Sequence, residues 1–413
     1  MSAGAGIHCD VAIAGGGMVG LSLAAALAPL PLAVVVIEPV APDASSQPSF
    51  DARTTALSAG SRRVLEGIGV WDGIRAAATP IRRIHVSERG SFGFARLTAE
   101  EQGIAALGYT IENRLLGRAL RERCARIDRL TLVAARAQGV AADATGLRLA
   151  TDRGDGIVAR LVVAADGAES AVRRALGIAA TSSDYGQHAV IAHVDTERFH
   201  DYTAYERFTP QGPIAVLPIG EGRSAVVWTL APEAAERALG LDDQTFIAEL
   251  QQAFGSRLGR ITRVGRRQAY PLSLTRSERL TAARAVVLGN AAQGLHPVAG
   301  QGFNLGLRDV AALAELLAED CAARGAAADP GSAPLLERYA AWRQPDREAV
   351  IRFTDSLVRG FGMPLAPLRA LRATGLLAFD LLRPVKHEFA RRTMGLAGRQ
   401  PRLVRGLPLV ARA

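Results

Sequence analysis

The 413-residue sequence predicts an α/β fold in which a parallel-sheet domain is interrupted by a mostly antiparallel β-sheet domain and followed by a helical C-terminal region. Three observations predict it. The apolar run Val11–Ala14 enters Gly15, Gly17 and Gly20, an Ala/Leu-rich segment follows over Leu21–Ala28, and a second apolar run, Ala33–Ile37, ends at Glu38. Strand-like runs separated by Gly/Pro turns recur from about 181. A later apolar strand, Ala285–Gly289, leads through a glycine-rich loop into a long Ala/Leu helix.

The first unit reads as strand–turn–helix–strand with the spacing G-x-G-x-x-G, a Rossmann-like dinucleotide site. Gly15 allows the tight turn, Gly17 lets the backbone approach a pyrophosphate, and Gly20 lets helix lie close on strand. Met18 opens the helix, whose free N–H groups and positive dipole suit phosphates. Glu38 is placed to accept hydrogen bonds from a ribose.

Composition narrows the class. The chain is 49% hydrophobic and 22% charged, as in a globular protein with a sizeable core. Aromatics are 5%, too few for a binder that stacks nucleic-acid bases. The net charge of +9 is an arginine excess, since Lys386 is the only lysine. It reads either as coding bias or as attraction to an anionic membrane or phosphorylated cofactor. Cys9, Cys124 and Cys321 are far apart and without metal-ligand spacing, so they read as reduced, structural and cytoplasmic, and no metal site is expected. Residues 11–37 carry no charge but are interrupted by Gly15–Gly17, Pro29 and Pro31, which predicts a buried βαβ unit rather than a membrane span.

Taken in order, the chain divides as follows. Residues 1–78 form the first part of the nucleotide-binding domain and 79–100 contribute strands to the second domain. Residues 101–180 return to the first domain, 181–270 form the sheet domain, 271–322 complete the first domain, and 331–413 are C-terminal helices and a basic tail. Within this frame, Ser58 or Ser61 caps a helix running to Gly67, a basic amphipathic helix spans Leu115–Ala125, and 130–164 reads as a small β-meander. The meander ends at Asp166-Gly167, a sharp stop at the edge of a sheet. Asp242–Phe254 reads as a capped helix. Arg53 is either a solvated loop arginine or one lying over a ligand.

The loop 289–306 is rich in glycine and poor in charge. Gly300, Gly302 and Gly306 permit a backbone pressed against something flat, and Asn304 sits in the first turn of the next helix, where the N-terminus stabilises negative charge. His296 reads either as a base or as a packing residue. There is no second G-x-G-x-x-G, nucleophile elbow or P-loop, so a nicotinamide cofactor would visit transiently.

With these segments in view, the chain resembles the FAD-dependent aromatic hydroxylases, the group that includes p-hydroxybenzoate hydroxylase. Gly15–Gly20 with Glu38 matches their FAD fingerprint. Ala165-Asp-Gly-Ala-Glu-Ser-Ala-Val-Arg173 matches their Asp-Gly motif, with Asp166 serving both FAD and NAD(P)H. Gly289-Asn-Ala-Ala followed by His296-Pro and Gly300-Gln-Gly-Phe-Asn304 matches their second FAD motif, including Phe303. Arg53 and Asn113 fall where the family places an arginine and an amide near the flavin. The resemblance narrows to the ubiquinone-biosynthesis hydroxylases, on the second motif and on Glu206-Arg-Phe-Thr-x-x-Gly-Pro213, and is similar to the 2-polyprenyl-6-methoxyphenol hydroxylase branch. Asn290 stands where most of the wider family has an Asp toward the flavin ribityl chain. An amide still bonds a hydroxyl, but the charge is lost.

The resemblance implies a Rossmann-like FAD-binding domain of the p-hydroxybenzoate hydroxylase type, interrupted by a substrate domain. It implies FAD reduced by transient NAD(P)H, reaction with O2 to a C4a-hydroperoxyflavin, and transfer of oxygen to a lipophilic, polyprenylated phenol. Pro297 is expected to shape the face where oxygen and substrate meet, and Asn304 with its helix to favour the anionic reduced flavin. Tyr205, His193 and His296 are the candidates for a phenol base. A leucine-rich, arginine-bearing segment over 364–382 reads either as a surface-lying helix or as one packed on the core or a partner subunit. The expected placement is cytoplasmic and peripheral at the inner face of the membrane, with other ubiquinone-biosynthesis proteins as partners. The alternatives are another ring position or aromatic substrate, or a flavin-poor scaffold subunit.

Overall fold

The structure, a computed structural model, describes residues 6–40, 53–154, 156–296, 300–362 and 366–410, without the side chains of 358, 359, 361, 362 and 366–373. Pro297 lies outside the described residues. So do the side chains of Arg369 and Arg372 in the arginine-bearing 364–382 segment.

The first third of the chain runs β1 (Ile7–Ala14), α1 (Met18–Leu27), β2 (Val34–Ile37), β3 (Thr54–Ser58), α2 (Ala59–Gly67), α3 (Trp71–Ile74), β4 (Thr79–Ile81), β5 (Arg83–Glu88), β6 (Phe94–Thr98), β7 (Gly108–Glu112) and α4 (Asn113–Cys124). The middle adds β8 (Leu130–Val133), β9 (Ala137–Ala142), β10 (Leu147–Thr151), β11 (Ile157–Ala164), α5 (Ala171–Ala175), β12 (Ala180–Thr196), β13 (Thr203–Thr209), β14 (Gly212–Pro218), β15 (Ser224–Leu230), α6 (Pro232–Gly240) and α7 (Asp243–Phe254). The last part holds β16 (Ile261–Val264), β17 (Gln268–Ser277), β18 (Thr281–Ala282), β19 (Ala285–Val287), β20 (Gln293–Gly294), α8 (Gln301–Arg324), α9 (Ala333–Gly362), α10 (Ala366–Leu381) and α11 (Arg383–Thr393).

β19, β11, β1, β2 and β8 lie side by side and parallel. Val11–Ala14, the β2 strand and Leu161–Ala164 are buried, as apolar runs covered on both faces must be. Two readings need correction here. Leu130–Val133 is not an arm of the meander but a parallel strand, β8 joining β2. The meander is β9–β10–β11, antiparallel in turn, and its last strand, β11, also lies parallel to β1. β11 is an interior strand, and it is its C-terminal end that opens at Asp166.

The second sheet has the order β20-β17-β12-β15-β14-β13-β5-β6, with β16 beside β12. One face holds Val190, Ala192, Val194, Ile214, Val216 and Trp228 against α6 and α7, whose Phe246 and Leu250 are buried. The other face turns toward the first domain. The boundary at 270 falls inside β17, which continues to Ser277 because its pairing with β12 runs from Gln268 to Ser277. β20, from the 271–322 segment, also joins this sheet. β4, assigned to the second domain, pairs instead with β7 in a small sheet with β3. The α6 helix has no counterpart among the expected elements, whereas α7 begins as expected, with Asp242 accepting from the Thr245 N–H at 2.9 Å.

The G-x-G-x-x-G turn is sterically demanding. A Cβ on Gly20 would lie 1.9 Å from the Gly15 carbonyl oxygen. Gly15 has φ +105°, and a Cβ there would lie 2.3 Å from the Ala165 oxygen. Gly20→Ala is therefore expected to cost about 1–3 kcal/mol of stability through overpacking and to lower flavin content. Thermal unfolding and bound-flavin absorbance check it, and an unchanged melting temperature would contradict the close contact.

Candidate active site

The expected cofactor residues form a chain of contacts along the C-terminal ends of the parallel strands. Gly17 caps α1 without a side-chain hydrogen bond, and the first turn carries no acid, so the helix N-terminus is open to an anion. The Glu38 carboxylate accepts from the Gly16 N–H at 2.7 Å and the Val40 N–H at 3.1 Å, which fixes it at the end of β2 with lone pairs left for a ribose. Met18 is half-buried against the core.

Asp166 follows β11 and faces the same turn, since Gly15 approaches the Asp166 Cα. Its carboxylate accepts from the Ser170 hydroxyl and, at 3.2 Å, from the Val172 N–H. Arg173 is buried and donates to the Ala168 and Ala291 carbonyls, each at 2.9 Å, tying this loop to the one after β19. Gly289 has φ +56°, and Cβ atoms on Gly289 or Gly306 would each come within 3.0 Å of Val19 on α1. Asn290 beside it is exposed.

The third part of the chain of contacts is the β3–α8 junction. The Asn113 N–H donates to the Arg53 carbonyl at 2.8 Å, its side-chain oxygen accepts from the Thr55 hydroxyl at 2.5 Å, and the Arg53 guanidinium lies 4.7 Å from the Tyr270 ring centre. Gly300 (φ +58°) caps α8 in the left-handed conformation, close to Ala56. Gly302 faces open space, and Phe303 is half-buried against the first core.

Asn304 has a different role from the one expected. Its oxygen accepts from the Ser58 N–H (2.8 Å) and the Ser61 hydroxyl (2.6 Å), and its amide donates to the Ala56 (2.8 Å) and Gly300 (2.6 Å) carbonyls. The side chain is spent on joining α8 to the β3–α2 corner. It is a positioning residue, and Ser58 and Ser61 are partners that sequence reasoning missed. The helix N-terminus it sets in place, with no side-chain cap and no acid, remains the group that favours negative charge.

The three base candidates separate. Tyr205 faces the α6–α7 side of the sheet, edge-on to Phe254 and His85, and burial raises its hydroxyl, so it is withdrawn from the first domain. His296 is fully buried, edge-on to Tyr185, and burial lowers it to about 4, so it is a neutral packing residue at ordinary pH. His193 is half-buried with Thr54 Oγ1 3.4 Å from its Nε2. Burial lowers its pKa, Glu112 opposes, and Arg223 and Arg114 add to the lowering.

Between the second sheet, α8 and the C-terminal helices lies an apolar cavity of about 260 Å³. Ile84, Val86, Leu97 and Phe208 form its sheet wall, and Phe353, Phe379, Phe389 and Met394 its helical wall. Asn304, Gln301 and Ser58 bring the α8 N-terminus to it. Glu206 on β13 is the only ionisable side chain among the described lining residues, and burial pushes its carboxyl up to about 7. Glu206 escaped notice as a site residue. The signal was the alternation Ala204, Glu206, Phe208, which puts a carboxyl in an otherwise apolar face.

Removing the Asn304 side chain leaves the Ser58 N–H and the Ala56 and Gly300 carbonyls short of a partner in a buried place. Asn304→Ala is expected to cost about 1–3 kcal/mol in chemical unfolding and to weaken flavin retention. Wild-type stability in that variant would remove its positioning role.

Comparison with known proteins agrees with this geometry. Residues 8–354 match the FAD binding domain family. The chain is 42% identical to the ubiquinone hydroxylase UbiL of Rhodospirillum rubrum, over 97% of this chain and 93% of that one. It is 34% identical to the 3-demethoxyubiquinol 3-hydroxylase of Escherichia coli, over 94% and 98%. The fold superposes on the crystal structure of p-nitrophenol 4-monooxygenase from Pseudomonas putida with a TM-score of 0.77 at 20% identity, covering 95% of this chain and 100% of that one. The chain belongs to the FAD binding domain family, among the ubiquinone-biosynthesis hydroxylases, and is an FAD-dependent aromatic monooxygenase that uses NAD(P)H and O2.

Proposed function

We propose that this enzyme hydroxylates a polyprenylated phenol of the 2-polyprenyl-6-methoxyphenol class in ubiquinone biosynthesis. The observation that carries the reading is the cavity: apolar on nearly every wall, reaching from the α8 N-terminus to helices α9–α11, with one carboxyl in it. A soluble aromatic acid would need a fixed cation there, and none is among the described lining residues. The curated names of the two relatives, a ubiquinone hydroxylase and a demethoxyubiquinol hydroxylase, support the same substrate class.

The residues present fit FAD. The α1 N-terminus and the Gly16–Gly17 backbone would hold the pyrophosphate, Glu38 the ribose, Asp166 and Asn290 the middle of the cofactor, and the Gly300–Phe303 backbone its ring. When bound, FAD supplies the activation of O2 after reduction by NAD(P)H. The chain's own work is to orient the phenol ring, keep water out through the apolar walls, and hold the α8 N-terminus where negative charge develops.

The test is aerobic turnover of FAD-loaded protein with NADH or NADPH and 2-geranylphenol as a short-chain probe. Oxygen uptake matched by a product heavier by one oxygen atom is expected. NAD(P)H oxidation that yields only hydrogen peroxide across a series of such phenols would overturn the substrate class.

The substrate class also supports a place at the membrane. Leu381, Leu382 and Val385 at the α10–α11 junction are 73%, 53% and 52% exposed, beside Arg383. The same two helices supply Phe379 and Phe389 to the cavity wall. Among the described residues no helix is long and apolar enough to cross a membrane. The proposal is a cytoplasmic enzyme that rests on the inner face of the membrane through this junction. Flotation with phosphatidylglycerol-rich vesicles is expected for the wild type and reduced in Leu381→Ser/Leu382→Ser. Equal flotation of both would move the contact elsewhere.

A further inference from the structure

The strongest unassigned group in the molecule is Glu206. It sits in the middle of β13, opposite Val86 on β5 and Ala215 on β14. Strand alternation sends Glu206 and Phe208 into the cavity, and Tyr205 and Arg207 to the other face. The cavity neighbours of Glu206 offer almost nothing polar: Ile84, Val86, Ala95, Leu97 and Phe208 from the sheet, and aromatic and aliphatic side chains from α9, α10 and α11. Among the described residues, the only lining groups with polar side-chain atoms besides Glu206 are Ser58, Gln301, Asn304 and Thr393, and Asn304 is already engaged by four partners.

An ionisable side chain in such surroundings costs stability unless something repays it. No cation faces it among the described residues. On β5 the charged same-face neighbour is the buried Glu88, two pairings further along, opposite Phe208. On α11, Lys386 lies on the helix face of Phe389 and Thr393, but it is held by Glu101 at 3.1 Å and Asp380 at 3.5 Å. β6 and α8 present neutral side chains to this space. A carboxyl kept in an apolar pocket, with no cation against it among the described residues, fits a ligand that brings a hydrogen-bond donor on an otherwise apolar body.

We propose that Glu206 is the catalytic acceptor for the phenol hydroxyl of the substrate, holding the ring by an O–H to carboxylate hydrogen bond and taking its proton during oxygen transfer. This rests on the reading of the cavity as the ring's site. The phenol O–H bond breaks and an O–H bond to the carboxylate forms. The electron pair left on the phenol oxygen feeds the ring as the new C–O bond forms, and the ring C–H proton lost on rearomatisation returns to that oxygen. The O–O bond breaks as the C–O bond forms, and the second oxygen atom leaves as water, taking the proton on Glu206 and one hydrogen delivered with the reducing equivalents of NAD(P)H. The raised carboxyl, near 7, gives a base matched to neutral pH, which a free glutamate is not.

The direction of the pH dependence follows. Glu206 is ionised above about 7 and neutral below it. A phenol, which keeps its proton up to about pH 10, bonds a carboxylate more strongly than a carboxylic acid. Affinity and kcat therefore rise with pH through 7.

The experiment uses FAD-loaded full-length enzyme and 2-geranylphenol between pH 5.5 and 8.5. Binding is read from the perturbation of flavin absorbance, and turnover from hydroxylated product. The wild type is expected to show affinity and kcat rising through pH 7. Glu206→Gln is expected to give flat profiles, with kcat lowered by about 10²–10⁴-fold and reduction of the flavin by NAD(P)H unchanged. Glu206→Asp, which keeps a carboxylate, is expected to retain a pH-dependent profile and serves if the amide variant does not fold. A Glu206→Gln enzyme with wild-type profiles, or a Glu206→Asp enzyme with flat ones, overturns the assignment. Val86→Trp, which fills the cavity beside Glu206, separates the two readings. If it leaves probe binding intact, the cavity reading fails and the assignment falls with it. If it blocks binding while Glu206→Gln behaves as wild type, the cavity stands and only the role of Glu206 is lost.

Discussion

The structure depends on one contact: Gly20 against the carbonyl of Gly15. There is no room for a single carbon between them. This lets α1 start directly above the end of β1 and aim its N-terminus at the site. Everything else is registered on that helix. Val19, one residue away, is flanked by the bare backbones of Gly289 and Gly306, so the loop after β19 and the start of α8 are set by the same turn of α1. Gly15 in turn abuts Ala165 and Asp166. Three segments far apart in sequence therefore share one small volume, and each of them carries glycine or a short side chain because the others leave no space.

A second constraint is electrostatic. Arg343 on α9 is 2% exposed, as is its partner Asp309 on α8, at 2.6 Å. Arg343 also holds Asp346 at 2.6 Å, which Arg308 shares at 2.9 Å. Arg347 reaches the Ser277 and Ala292 carbonyls and the Gln293 side chain. Burial alone would lower the Arg343 pKa, but Asp309 and Asp346 more than reverse it, and the guanidinium stays charged. Buried ion pairs add little net stability over apolar residues, yet breaking one leaves an uncompensated charge at a cost of about 3–5 kcal/mol. The network thus acts as a register. It holds α9 in one position against α8 and the β17–β20 edge, and α9 contributes Phe353 and Leu357 to the cavity wall.

What was legible in the sequence was local. The glycine turn, Glu38 at the end of β2, the Ser58 cap and the α7 cap are each written within a few consecutive residues, and the geometry follows from backbone chemistry. What was not legible depended on partners far away. Leu130–Val133 looks the same as a strand whether it turns back on its neighbour or reaches β2, and only the pairing with Val34–Ile37 decides. The end of β17 is set by β12, a strand 17 residues long whose own sequence is broken by glycine and polar residues. Asn304 carries the same amide whether it meets a ligand or Ser58, which is 246 residues away. Tyr205 and Glu206 are adjacent, and the facing of the sheet alone sends one to a packed core and the other to the cavity.

The order of the strands also has a consequence for how the protein is made. β1, with its glycine turn, leaves the ribosome before β19 and the loop bearing Gly289–Gly306, which follow about 270–290 residues later. At ordinary rates of translation that is a wait of roughly 15–60 s. During it the uncharged βαβ unit exists without the segment that covers it, and the pocket for the cofactor has only half of its walls. The site is complete only once the two distant segments have met, so its assembly is a late event in the making of this chain.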